Sequence, residues 1–279
     1  EGDLLVAIDG GEITTIEDPC RRLQDKTGAW VTRSLNAMPG EKGAKTARVR
    51  TLGYEGRIRY REWVEGNRAA VDEAGRGRIG YMHIPDMMTN GLIEFGKAFY
   101  PQFAKDALII DERYNGGGFV GDQIIDRLER EIWSLNQPRE GEMGRNPERV
   151  FHGPIVVLIN EDTGSNGEYF AYAIKAKKLA TLIGMRTWGG AVGIEPHQDM
   201  VDGGGTTPPQ FGPLGLDGTW IIEGHGVEPD IVIQNMPADV VAGKDAQLEK
   251  AVSVLLERLE KEGATWRLPS LPSYPDKSD

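Results

Sequence analysis

Four short, almost unbroken apolar runs constrain this chain more than anything else in it. They are Ile79-Gly80-Tyr81-Met82-His83-Ile84, Ala107-Leu108-Ile109-Ile110, Pro154-Ile155-Val156-Val157-Leu158-Ile159 and Ala180-Thr181-Leu182-Ile183. Each is strand-length and gives way to a turn or a glycine-rich stretch. Apolar residues without alternation mark strands buried on both faces. Helical stretches are expected between them, at Ile93–Phe103, Val120–Trp133 and Glu168–Lys178. Strand and helix alternating in this way give an α/β fold with a mainly parallel sheet.

Upstream, Leu4-Leu5-Val6-Ala7-Ile8 reads as a strand closed by Asp9-Gly10-Gly11. A helix from Thr14 to Leu23, capped by Thr14 or Thr15, and a strand at Ala47–Leu52 are expected next, with a loop at Gly40–Gly43. Tyr60–Glu73 is rich in Glu, Arg and Ala and reads as a helical connector. Downstream, short strands are expected near Gln198–Val201 and Thr219–Glu223. Lys244–Lys261 is an amphipathic helix with Leu248, Val252, Leu255, Leu256 and Leu259 on one face. The expected organisation is an N-terminal module over 1–60, a connector over 61–76, a catalytic domain over 77–262 and an irregular, proline-containing tail over 263–279.

Composition narrows the function classes. The 279 residues carry a net charge of −11, which disfavours a nucleic-acid partner. No apolar run approaches the roughly 20 residues of a membrane span. Cys20 is the sole cysteine, so neither an internal disulfide nor a thiolate metal site is available. The histidines, His83, His152, His197 and His225, are scattered without metal-ligand spacing. No metal or cofactor is expected. The opening Glu1-Gly2-Asp3-Leu4 reads as the middle of a domain, so residues upstream are expected. A cytoplasmic location fits. A signal peptide before Glu1 would make it periplasmic or secreted.

Three features can carry chemistry. Ser165, in Thr163-Gly164-Ser165-Asn166-Gly167, lies between a buried strand and a helix. A nucleophile there stands at a sheet end, with the Asn166 amide at a helix N-terminus where negative charge is favoured. The plainer reading of Ser165 is a helix cap. Gly116-Gly117-Gly118 can bring backbone amides close to a ligand, or can be a flexible connection. Glu223, at an expected strand end, can orient a histidine, or be a solvated surface acid. His225 is close by but flanked by glycines. His83 reads as a core residue, and His152 and His197 fall at element edges.

The runs Asp111-Glu112-Arg113-Tyr114-Asn115-Gly116-Gly117-Gly118, Thr163-Gly164-Ser165-Asn166-Gly167-Glu168, Ile183-Gly184-Met185-Arg186-Thr187-Trp188-Gly189-Gly190 and Glu223 with Gly226-Val227-Glu228-Pro229-Asp230 follow one another in this order. Together, from about Gly77 to Leu259, they resemble the tricorn-like branch of the carboxyl-terminal processing (tail-specific) serine peptidases. The resemblance implies a crotonase- or ClpP-like catalytic domain preceded by an incomplete PDZ-like module. It implies Ser165 as nucleophile, the Gly118 and Asn166 amides as oxyanion donors, and Glu223 as the charge-relay carboxylate. It places Gly116 and Gly117 in the substrate-binding loop. Peptides or unfolded chain ends would be the substrates and a homo-oligomer, such as a hexamer, the assembly.

Two departures qualify the match. The larger branch carries a lysine base where this chain has Gly190, so a histidine base is implied, and in the tricorn-like branch it lies upstream of the PDZ domain. The position implied to favour basic side chains beside the cleaved bond is Asn136, a neutral amide. Rival readings are an inactive peptide-binding fragment and a crotonase-like acyl hydrolase.

Overall fold

The computed structural model describes residues 2–14, 18–195, 198–263 and 269–270. The chain divides into two compact units, 1–63 and 64–279.

The first unit is an antiparallel sheet in the order β2-β1-β3-β4, formed by β1 (Leu4–Ile8), β2 (Gly11–Glu12), β3 (Trp30–Asn36) and β4 (Lys45–Arg50). Val6, Ala7, Ile8 and Val31 are its buried apolar side chains. Of the helix expected over 14–23, residues 15–17 lie outside the described residues, and Pro19–Leu23 is a 3-10 turn rather than an α-helix. Pro19 has no N–H to give and suits a first helical position. Asp18 caps the turn by accepting from the Cys20 N–H at 2.9 Å. Thr15 lies outside the described residues. Strand β3 was not expected, because its mixed sequence WVTRSLN alternates too weakly to stand out.

Helix α1 (Gly56–Ala74) covers the stretch read as a connector. In the second unit, β5 (Ile79–His83), β6 (Ala107–Asp111), β9 (Ile155–Ile159), β10 (Thr181–Gly184) and β15 (Ile231–Val232) form one sheet, ordered β15-β10-β9-β6-β5 and parallel throughout. Helices α2 (Thr89–Gln102), α3 (Gly121–Leu128) and α4 (Asn166–Ala176) connect these strands. They supply Phe95, Phe99, Ile124, Ile125 and Phe170 to the main core. Helix α6 (Ala246–Glu262) buries Leu248, Val252, Leu255 and Leu259 of the face expected of it, and Ala251 with them, while Leu256 is half-buried. Short antiparallel pairs stand apart from this sheet: β7 (Ser134–Asn136) with β8 (Gly144–Asn146), β11 (Gly193–Ile194) with β14 (Pro209–Phe211), and β12 (Gln198–Asp199) with β13 (Gly205–Thr206). A short helix, α5 (Pro237–Val241), precedes α6.

Two expectations fail here. The helix read over 120–133 stops at Leu128, and Asn136 sits in strand β7. The strand read over 219–223 does not form: Ile222 has a φ of 68°, outside the extended region, and only an isolated bridge joins Leu214 to Trp220.

Candidate active site

Because all five strands run the same way, the segments that follow them emerge at one edge of the sheet. The residues after β5, β6, β9 and β10 meet there. Met87 N–H donates to the Gly117 carbonyl at 2.8 Å. Gly164 N–H donates to the Asn115 carbonyl at 2.9 Å, and Ser165 N–H to the Gly190 carbonyl at 3.2 Å. Trp188 N–H closes the set on the Thr163 carbonyl at 3.0 Å. Side chains reinforce it: Asn115 Nδ2 donates to the Ile84 carbonyl at 3.0 Å, and its Oδ1 accepts from Gly117 N–H at 2.9 Å.

Ser165 is the N-cap of α4, but not with a cap's usual backbone. Its φ is 50° and its ψ −122°, whereas N-caps sit in the β region. A non-glycine residue in this region is strained, and such strain persists only where the surroundings impose it. A sharp, strained strand-to-helix turn is how a nucleophilic serine is presented in α/β hydrolases. Ser165 is half-buried.

The glycine loop lies directly on this turn. A Cβ at Gly117 would be 2.6 Å from Ser165 Cβ and 2.8 Å from the Asn166 nitrogen. A Cβ at Gly118 would strike the Met87 carbonyl oxygen at 2.0 Å. Gly117 and Gly118 have φ values of 99° and 145°, so only glycine serves at either. Gly116 is the exposed start of the loop. Among the described residues, neither Gly118 N–H nor Asn166 N–H donates an intramolecular hydrogen bond. Asn166 instead accepts on Oδ1 from Gly121 N–H at 2.9 Å, fixing α4 to α3.

Glu223 is exposed, and one oxygen of its carboxylate, Oε2, accepts from the Ala191 and Val192 N–H groups at 2.8 and 2.7 Å. It also acts on Tyr169, one turn along α4 from Ser165. Burial first and the Glu223 charge second raise the Tyr169 phenol above its ordinary value. Ser165, Asn166, Gly117, Gly118 and Glu223 are thus linked within one constellation. Asn136 is exposed on β7, where its amide donates to Asn146 Oδ1 at 3.2 Å.

The histidines divide clearly. His83 is buried beside β6, with Nε2 against the Arg113 carbonyl at 2.9 Å, and burial lowers its pKa. His152 precedes β9, at the other end of the strand that leads to Ser165, about 16 Å away along the strand. His225 is exposed, its Nδ1 3.2 Å from the Glu223 carbonyl oxygen. His197 lies outside the described residues. Among the described residues, no group of three His, Cys, Asp or Glu is placed to hold a metal ion.

One residue escaped the sequence reading. Glu168 is fully buried, and its carboxylate accepts from Ser165 N–H at 3.1 Å, Gly190 N–H at 2.9 Å, Gly189 N–H at 2.6 Å and Thr187 Oγ1 at 2.6 Å. The Ser165-x-x-Glu168 spacing of a capping box was the signal that could have found it.

Fold and site define an α/β domain with a strained serine turn and a glycine loop gathered at the C-terminal edge of a parallel sheet. The chain belongs to peptidase family S41, whose family model matches residues 78–233. The tricorn protease of Thermoplasma acidophilum is 38% identical over 274 residues, 98% of this chain and 25% of that protein. Tricorn protease homolog 1 of Streptomyces coelicolor is 35% identical over 272 residues, 97% of this chain and 25% of that protein. The crystal structure of the tricorn protease superposes with a TM-score of 0.84 at 38% identity, covering 93% of this chain and 25% of that one. The chain therefore spans about a quarter of the length of these relatives.

Proposed function

We propose that this chain is the catalytic part of a serine peptidase of the tricorn type, with Ser165 as nucleophile. The observation that carries this reading is the strained backbone of Ser165, held at the head of α4 beneath the glycine loop. Ser165 Oγ attacks a peptide carbonyl as its proton passes to a histidine. The N–H groups of Gly118 and Asn166 receive the developing oxyanion. The C–N bond then breaks as the histidine gives its proton to the departing amine, and a water deprotonated by the same histidine hydrolyses the acyl-enzyme and frees Ser165. Glu223 orients the histidine, directly or through another side chain, with the carboxylate oxygen that the Ala191 and Val192 amides leave over. Among the described histidines, His83 and His152 are placed elsewhere and His225 is turned to its own loop. The resemblance to the tricorn-like branch supports a base supplied by another part of a longer protein. Substrates are short peptides or unfolded chain ends, the working form is a homo-oligomer such as a hexamer, and the compartment is cytoplasmic. The first 60 residues are read as part of a PDZ-like module.

The test is peptide hydrolysis by the complete gene product against its Ser165→Ala variant. Loss of hydrolysis with an unchanged fold supports the reading, and undiminished hydrolysis refutes it. Neutral Asn136 further predicts that peptides with Leu or Phe before the cleaved bond are hydrolysed at least as well as those with Arg. A strong Arg preference in kcat/KM would remove that assignment.

A further inference from the structure

We propose that Glu168 is a positioning residue. Its carboxylate fixes the place of Ser165 and, through the strap Thr187–Val192, that of Glu223. The inference rests on the reading of Ser165 as the nucleophile.

In an ordinary capping box the acid three residues after the cap accepts a single hydrogen bond, from the cap's own N–H. Glu168 accepts that bond and three more, from Thr187, Gly189 and Gly190. Those three donors lie beyond β10, on a different segment from the one Glu168 caps. The carboxylate is wholly buried, and a buried charge persists only when it is fully hydrogen-bonded. Both of its oxygens are engaged, Oε1 by Thr187 and Gly189 and Oε2 by Ser165 and Gly190.

This arrangement answers two questions the site raises. The first is what holds Ser165 at a φ of 50°. Its N–H is shared between Glu168 Oε2 and the Gly190 carbonyl. Turning Ser165 to the relaxed β conformation of a cap would take that N–H away from both acceptors. The second is how Glu223, 58 residues further along the chain, is kept in register with Ser165. The strap that Glu168 grips at 187, 189 and 190 presents its next two N–H groups, Ala191 and Val192, to Glu223. Gly224 N–H also donates to the Gly189 carbonyl at 2.8 Å, and Val227 N–H to Thr187 Oγ1 at 2.7 Å. Two carboxylates thus hold one strap, and Glu168 is the one that also touches the nucleophile. Glutamine cannot replace it, because its NH2 group would face N–H donors.

The experiment uses the complete gene product with Glu168→Gln and Thr187→Val, beside wild type and Ser165→Ala. It measures kcat and KM on a short fluorogenic peptide, the rate of labelling by a serine-directed fluorophosphonate, and the thermal midpoint. Glu168→Gln should lower kcat and the labelling rate in parallel by about 10²-fold, the scale of a small misplacement of a reacting group. KM should move by less than about threefold, because the peptide itself is not touched. Thr187→Val removes one donor to Glu168, and with it the acceptor of the Val227 N–H, without touching Ser165, and should lower kcat by about three- to tenfold. A folded Glu168→Gln with wild-type kcat and labelling overturns the proposal. If that variant does not fold, Thr187→Val decides, and wild-type kcat there overturns it. Hydrolysis indifferent to Ser165→Ala would take away the nucleophile and this inference together. Ser165-dependent hydrolysis that Glu168→Gln leaves intact takes away this inference alone.

Discussion

Gly117 has no room for a side chain, and the reason is Ser165. With a φ of 99° and a would-be Cβ 2.6 Å from Ser165 Cβ, Gly117→Ala must push the serine turn or the loop aside. The variant should lose about 10²-fold in kcat, on the scale of a misplaced reacting group. Its stability should fall by about 1–3 kcal/mol from backbone strain, read by thermal unfolding. Glu112, at the foot of the same loop, carries the opposite kind of information. It is fully buried; among the described residues Oε2 has no hydrogen-bond partner, and Oε1 accepts from Asn115 Nδ2 at 3.5 Å. Burial first, and neighbouring Asp111 second, push its carboxyl well above the usual range. The unfolded chain releases that proton near the ordinary value of about 4.3, while the native state keeps it. The stability this group lends is therefore present in acid and lost as pH rises, by up to about 1.4 kcal/mol per pH unit until the native group ionises. Glu112→Gln should match wild type near pH 4 and become progressively more stable than it toward pH 8, as denaturant titrations at several pH values would show.

At the level of elements, Arg113 joins the end of β6 to the start of α6. Its guanidinium donates to both oxygens of Asp111, at 2.9 and 2.6 Å, and to Asp245 and Gln247 at 3.0 and 3.1 Å. Burial would raise the Asp111 carboxyl, but the Arg113 charge outweighs it and holds the group below the usual carboxylate range. Arg113→Met would leave Asp111 buried without its cation and should cost about 3–5 kcal/mol, measured by denaturant unfolding. The link to α6 was not legible beforehand, since Asp245 and Gln247 lie 132 and 134 positions from Arg113. The central strands were legible, because β5, β6 and β9 are buried along their whole length and their sequences show it. Strand β3 was not, because exposed and half-buried residues mix along it without a clean period. The strand read over 219–223 was misjudged because apolar Ile221 and Ile222 mimic one, although Ile222 turns the chain. Of the site, Ser165 and the three glycines stood out through their places after apolar strands. Glu168 did not, because three of its four partners come from beyond β10.

At the scale of the molecule, the parallel sheet does for this chain what it does in α/β enzymes generally: it collects at one edge what the sequence keeps apart. Family membership establishes a peptidase fold. The strained serine, the two amides without intramolecular partners among the described residues and the strap between two carboxylates are what make an acyl-enzyme mechanism the reading to test. The most direct measurement treats the complete gene product with a serine-directed fluorophosphonate and maps the modified residue by peptide mass spectrometry. The account predicts stoichiometric modification at Ser165, with loss of peptide hydrolysis in proportion, and neither in Ser165→Ala. Modification of a different serine, or hydrolysis that persists in Ser165→Ala, would contradict it.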